Sequence, residues 1–261
     1  MNIIRALGVL RVNNTNMEQW ADQGIVLSAR SHGEGGAVVA LLTENHGRHA
    51  GYVHGGMSSS KRSMLQIGTQ VKANWSARVS DGLGSYALET EQGLSIDILD
   101  DSMKLSALQS ACCLCDVALP EREGHMGLYH GLRALLDIMA DESLGEQWGA
   151  AYVMWEISLL RELGFHLELD KCAGGGDVDT LCYVSPKTGR AVSKAQGEIY
   201  KEKLLSLPNF LRSASAREDV GIREDIALGL KMTGYFLEHW VFNHHTKGVP
   251  EPRLMLADKF F

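Results

Sequence analysis

NHGRHAGYVHGGMSSSKRSMLQIGTQVKANWSARVS, residues Asn45–Ser80, holds no Asp or Glu, although the 261-residue chain carries a formal net charge of -7. Within it Arg48, Lys61, Arg62, Lys72 and Arg78 stand beside His46, His49 and His54, a local reversal of sign. Apolar and polar residues alternate through Ala50 and Tyr52 and again through Val71, Ala73, Trp75, Ala77 and Val79, the period-2 pattern of strands with one buried face. Between the two alternations runs Gly55-Gly56-Met57-Ser58-Ser59-Ser60-Lys61-Arg62, whose composition predicts a mobile loop. A basic loop between two strands suits contact with the phosphates of a nucleic acid. Composition leaves a second reading open, in which these cations are only the solvated face of a sheet.

Outward from this stretch the same signals continue. Gly24–Arg30 (GIVLSAR) and Ala37–Leu42 (AVVALL) are short and β-rich, with a turn in Ser31–Gly36 between them, and Ser85–Glu91 (SYALETE) follows on the other side. Five short strands joined by Gly-rich turns, without helices long enough for repeated β-α-β crossovers, predict a small closed antiparallel barrel, and an OB-fold meets that count. The fragment Gly33–Val38 (GEGGAV) is not a dinucleotide-binding fingerprint. Val38 stands where the third glycine belongs, and a strand follows instead of a helix.

From Leu99 the periodicity becomes helical. Asp100, Asp101 and Ser102 offer caps before a stripe of Met103, Leu105, Leu108, Cys112, Cys115 and Leu119 that stops at Pro120. Gly127–Ala140 and Gln147–Leu163 predict two more amphipathic helices, and Gly221–Asn243 a last one closed off by Pro250 and Pro252. Helical spacing of Trp148, Tyr152 and Trp155 marks them as core. The predicted class is thus α+β. Its parts are an extension over residues 1–16, expected to be disordered, an OB-fold domain over 17–97, and a helical domain over 98–261 with an insert at about 165–197.

Five cysteines, an odd number, argue against a secreted disulfide framework. Cys112, Cys113 and Cys115 fall in the first helix, where such spacing does not converge on a metal. The insert, FHLELDKCAGGGDVDTLCYVSPKTGRAVSKAQG, resembles a small zinc ribbon that has lost half its ligands. Cys172 and Cys182 cannot complete a tetrahedral site even with His166 or Asp170 recruited, so no metal and no cofactor are expected. No apolar run is long enough for a membrane span, and the start lacks a signal-peptide pattern, so the expected location is cytoplasmic. No P-loop, G-x-S-x-G or H-E-x-x-H motif occurs, and no catalytic constellation is predicted.

The order of these parts carries a resemblance. QGIVLSARSHGEGGAVVALLTENHGRHAGYVHGG with SSSKR is similar to the N-terminal region of the bacterial recombination mediator family RecO, with its G-x-V-L, G-E and L-x-T-x-x-x-G elements in sequence. WEISLLRELGFHLELDKCAGGG, LPNFLR and GYFLEHWVFNHHTKGVPEPRLML resemble the family's later segments, so the likeness spans Met17 to Leu256. It implies an OB-fold, a helical domain and a nucleoid-associated protein without enzymatic activity. Such a protein binds single- and double-stranded DNA, anneals complementary strands and loads the recombinase RecA together with RecR and single-stranded DNA-binding protein. The chain departs from the family's four-cysteine module, and Met57 and serines stand where many members are more basic.

On this basis the DNA contacts are expected at Arg48, Lys61, Arg62, Lys72 and Arg78. Trp75 or Tyr52 could stack bases, against the competing reading that both are core. The family's partner tail is acidic, ending in an aromatic residue and a free carboxylate, so its receptor needs an apolar pocket with a cation at the lip. Tyr129, Arg133 and Leu136 on the second helix offer this, and Arg161 on the third is a further candidate. Two rival readings remain: an adaptor that docks its partners while the barrel never touches DNA, and a metal- or thiol-dependent enzyme built on Cys172, Cys182 and His166.

Overall fold

The computed structural model describes residues 18–79, 82–218 and 220–261, so the expectation for residues 1–16 lies outside the described residues. β1 (Glu18–His32), β2 (Gly36–Thr43), β3 (Gly47–Val53), β4 (Gln70–Ala77) and β5 (Ser85–Gln92) close into a barrel in the order β1-β2-β3-β5-β4. The expected OB-fold barrel is what the chain forms. β1 is its spine: Glu18–Ile25 pairs antiparallel with β4, and Gly24–His32 with β2, with a register shift between Val26 and Ser28. A parallel pairing of β3 with β5 at Tyr52 and Ser85 completes the circuit. The strand begins well before Gly24 because Trp20 and Asp22 continue the inward alternation, and an inward carboxylate hides that pattern from hydropathy.

Period 2 sends neighbouring residues into different cores. Val26, Val39, Leu41, Val53, Val71, Ala73, Trp75 and Tyr86 fill the barrel, and Leu65 joins them from the connection between β3 and β4. That connection, predicted as a plain loop, contains a single helical turn, α1 (Ser59–Arg62). Ile25, Leu27, Ala40 and Leu42 point outward and join the core of the helical region. β2 is therefore covered on both faces, which is why it reads as a near-continuous apolar run.

The helical region comprises α2 (Ile96–Leu99), α3 (Ser102–Ala118), α4 (Met126–Ala140), α5 (Gln147–Glu162), the single turn α6 (Lys194–Gly197), α7 (Ile222–Phe236) and α8 (Glu251–Asp258). Asp101 caps α3 by accepting from the backbone N–H groups of Met103 and Lys104. Trp148, Tyr152 and Trp155 are buried in the helical core, as their spacing predicts. Two expectations need correction at the C-terminus. The last predicted helix gives way at Leu237 to a π-helical turn (Leu237–Val241), and the prolines meant to end it instead open α8, with Pro252 in the first turn, where a missing N–H is harmless. Arg253 then reaches inside, pairs with Glu156 and donates to the carbonyl of Leu230. The insert holds β6 (Leu181–Val184), β7 (Ala191–Ser193) and β8 (Leu205–Ser206) as a three-stranded sheet of order β7-β6-β8.

Candidate nucleic-acid interface

Of the five predicted DNA-binding cations, one is already engaged at the junction with the helical region. Arg48 donates through Nε to the carbonyl of Leu119 at 2.8 Å, and its Nη1 lies 3.5 Å from Asp116 on α3, whose other oxygen takes Arg30 at 3.3 Å. Arg48 thus fastens the barrel to the helical region. Its sequence neighbours give no hint of this, because the carboxylate arrives from another element. Lys61 sits on α1 with Nζ donating to the carbonyl of His54 at 2.8 Å, and Arg62 beside it is exposed. Lys72 is an outward residue of β4, alternating with Asn74 and Ser76, and Arg78 is exposed just past the strand's end. Among the described residues none of these four is held in an ion pair.

Asn74 and Ser76 belong to a trough of about 540 Å³ on the outer surface of β1, β4 and β5, with Gln19, Ala21, Ser85, Ala87 and His54 also lining it. Ala21, Ser76, Ser85 and Ala87 keep part of it low, and Trp20, Trp75 and Tyr86 line it as well. Lys72 and Arg78 bracket it on β4, and His54 joins it to the Lys61 loop. The sequence reading found these cations through their sign. It missed Gln19 and Ser85, which lie outside the acid-free stretch and reach the site only through strand pairing.

Beneath the trough the rings pack on one another. Trp75 is 2% exposed and its Nε1 donates to the carbonyl of Leu83, so of the two proposed stacking residues this one is core. Trp20 stacks on His46 at 4.2 Å and on Trp75 at 5.6 Å. His46 in turn meets Asp22 at 2.7 Å. Burial tends to raise the Asp22 carboxyl, but bonds from His46, Asn45 and Gln23 outweigh it and hold it below the usual range. Burial pushes His49 down to about 4.

The predicted partner site on α4 also needs correction. Tyr129 and Leu136 are 1% and 5% exposed. Arg133 donates to Gln23 Oε1 at 3.3 Å and lies 3.9 Å from Glu91, so this face of α4 is turned to the barrel. The stripe that looked like a docking surface is an internal seam. Arg161 stands differently: it is exposed and, among the described residues, not held in an ion pair. Elsewhere on these helices, α4 and α5 leave an apolar groove, formed by cavities of about 610 and 260 Å³ that share Ile138, Ala151 and Met154. Gly131 and Ala134 keep the α4 wall low. Trp155 Nε1, in a residue 3% exposed, reaches no hydrogen-bond acceptor. Met154, Ser158 and Arg161 follow at helical spacing on α5, and Arg161 lines a separate cavity of about 790 Å³ together with Ile157, His166 and Asp170. The sequence signal for the groove was an exposed Met154 off the core stripe.

In the insert, Cys172 is buried with Sγ accepting from the N–H of Ser193 at 3.3 Å and lying 3.4 Å from its hydroxyl. Burial raises this thiol, but Ser193 and the N–H groups of Gly174 and Gly176 prevail and hold it down to about 7. Cys182 has other surroundings, including Arg212 and Glu218, and burial pushes it up. Among the described residues no group of three or more His, Cys, Asp or Glu could hold a metal ion. Among them, too, no helix is long and apolar enough to cross a membrane.

Comparison with known proteins gives two family matches: "Recombination protein O N terminal" over residues 17–90 and "Recombination protein O C terminal" over residues 99–248. The chain is 47% identical over 244 residues to a DNA repair protein RecO of Rhodospirillum centenum, covering 93% of this chain and 94% of that one. It is 42% identical over 245 residues to the one from Rhodospirillum rubrum, covering 93% and 96%. With that of Phenylobacterium zucineum it shares 45% identity over 241 residues, covering 92% and 97%.

Proposed function

The chain belongs to the RecO family of DNA repair proteins, and from that premise we propose that it is a mediator without catalytic chemistry of its own. In this reading it binds single- and double-stranded DNA through the barrel, anneals complementary strands and, with RecR, helps place RecA on DNA coated by single-stranded DNA-binding protein. The observation that carries the DNA-binding part is the placement of Lys61, Arg62, Lys72 and Arg78. All four lie on the outer surface of the barrel and, among the described residues, outside any ion pair, with Lys72 and Arg78 on the strand whose Asn74 and Ser76 line the trough. Phosphate contacts of this kind are independent of sequence and sensitive to salt. Lys61→Glu with Arg62→Glu is expected to weaken binding to all sequences alike and to flatten the dependence of affinity on salt, read by fluorescence anisotropy. Unchanged affinity and slope would remove this loop from the interface.

For the acidic partner tail we propose the groove between α4 and α5, with its aromatic end among Ile138, Ala151 and Met154 and its carboxylate toward Arg161. Ile138, Ala151 and Met154 supply the apolar contact that an aromatic tail end requires. Arg161→Glu should abolish tail-peptide binding in calorimetry, while Met154→Asp should do so without touching the cation. Peptide binding that survives both changes places the tail elsewhere.

The adaptor reading keeps one supporting observation, since Asp116 engages both Arg30 and Arg48 and so thins the barrel's positive surface. A gel-shift series across salt separates it from DNA binding.

A further inference from the structure

Tyr52 is a ring of the acid-free stretch that stands outside the barrel core. It is half-buried and contributes to neither hydrophobic core, unlike Trp75 beneath it. Its phenolic end reaches across β2 to Gly36: a Cβ placed on Gly36 would fall 1.9 Å from Tyr52 Oη and 2.3 Å from Cζ. Only glycine lets the ring settle there. The phenol therefore rests on the backbone of β2 while the side chain stays partly open to solvent. His32, paired with Gly36 across β1 and β2, stands edge-on to the ring at 6.1 Å and 79°. His54, two residues on from Tyr52 and just past the end of β3, stands edge-on at 4.7 Å and 85°. Three rings thus meet here, the two imidazoles each close to perpendicular to the phenol.

The surroundings of this three-sided cage carry positive charge. Lys61 is tethered to the carbonyl of His54, and Arg62 follows it on α1. The turn between β1 and β2 is tied to the same loop, with Met57 N–H donating to the carbonyl of Gly35 at 3.1 Å. A flat ring with perpendicular walls and cations at its rim matches a planar, uncharged group joined to a phosphate. We propose that Tyr52, His32 and His54 form a stacking site for one unpaired nucleobase, with Lys61 and Arg62 taking the adjoining phosphate. In a duplex both faces of a base are already stacked, so this cage serves single strands only, whereas the cations serve both forms.

The inference rests on the DNA-binding reading above and is tested separately from it. Affinities for a labelled oligo-dT and for a labelled duplex are compared by anisotropy for the unaltered protein, Tyr52→Ala, Tyr52→Phe and Gly36→Ala. Tyr52→Ala is expected to lose about tenfold on the single strand and to keep its duplex affinity within about twofold, while Tyr52→Phe keeps both. Gly36→Ala retains the ring but evicts it from its seat, and it should reproduce the single-strand loss. In addition, an oligonucleotide carrying 5-iodouracil should photocrosslink to Tyr52, located by mass spectrometry. If the unaltered protein binds neither form, the DNA-binding reading falls and takes this one with it. If it binds single strands, but Tyr52→Ala binds them equally well or loses duplex in the same proportion, the stacking assignment alone is overturned. A crosslink confined to other residues overturns it as well.

Discussion

His49 is a charge switch that folding holds off. Its ring is walled in by Trp20, Trp75 and Tyr86. The unfolded chain takes up this proton near 6.5, whereas in the barrel it goes on only near 4. Between those values the unfolded state binds more protons, so stability falls as pH falls, by roughly 1 kcal/mol per pH unit. Urea midpoints measured across this window should slope accordingly, and His49→Gln should flatten the slope. If the variant keeps the slope, another group carries it. Asp22 acts at lower pH still. Its carboxyl is held below the ordinary value, so its contribution is complete above 3.8 and fades only as the pH drops past that point.

At the level of elements, α8 depends on a charge pair with no access to water. Glu156 and Arg253 are both buried, and Thr233 also donates to the carboxylate. Arg253→Met should destabilise the protein by about 3–5 kcal/mol in urea denaturation, because it strands an anion in the core. Adding Glu156→Gln should recover much of that loss. A recovery of nothing would show that α8 is held by packing alone. For the insert we expect that a chelator shifts the thermal midpoint by less than about 2 °C, since one thiol bonded to Ser193 and its neighbouring N–H groups has no need of a metal. A larger loss would reveal a resident ion.

The same elements show what could be read without coordinates. β4, α3, α4 and α5 were legible because one-sided burial imposes a period on each of them, and β2 because burial on both faces makes it a short apolar run between turns. The first half of β1 was not, because its inward Asp22 is polar, and α8 was not, because Pro250 and Pro252 read equally as an ending or a beginning. Lys61, Arg62, Lys72 and Arg78 announced themselves by charge. Arg48 carried the same charge and a different fate, decided by Asp116 from another part of the chain. Tyr129 and Leu136 had the spacing of a surface stripe, and only the position of the barrel shows which way that stripe turns.

Across the whole molecule, Asp116 sets how much positive charge the barrel displays. Asp116→Asn should release Arg30 and Arg48 and raise DNA affinity at low salt, with a steeper salt dependence. Affinity that falls instead would mean the junction's geometry matters more than its charge. The two cores also share a strand: Val26 faces one, while Ile25 and Leu27 face the other. Heating should therefore give a single calorimetric transition read alike by tryptophan fluorescence and by circular dichroism. Two separated transitions would show that the cores melt independently. Cut free after Gln92, the barrel would carry Ile25, Leu27, Ala40 and Leu42 like an open wound, and such a fragment should clump in the tube where the intact chain stays in solution.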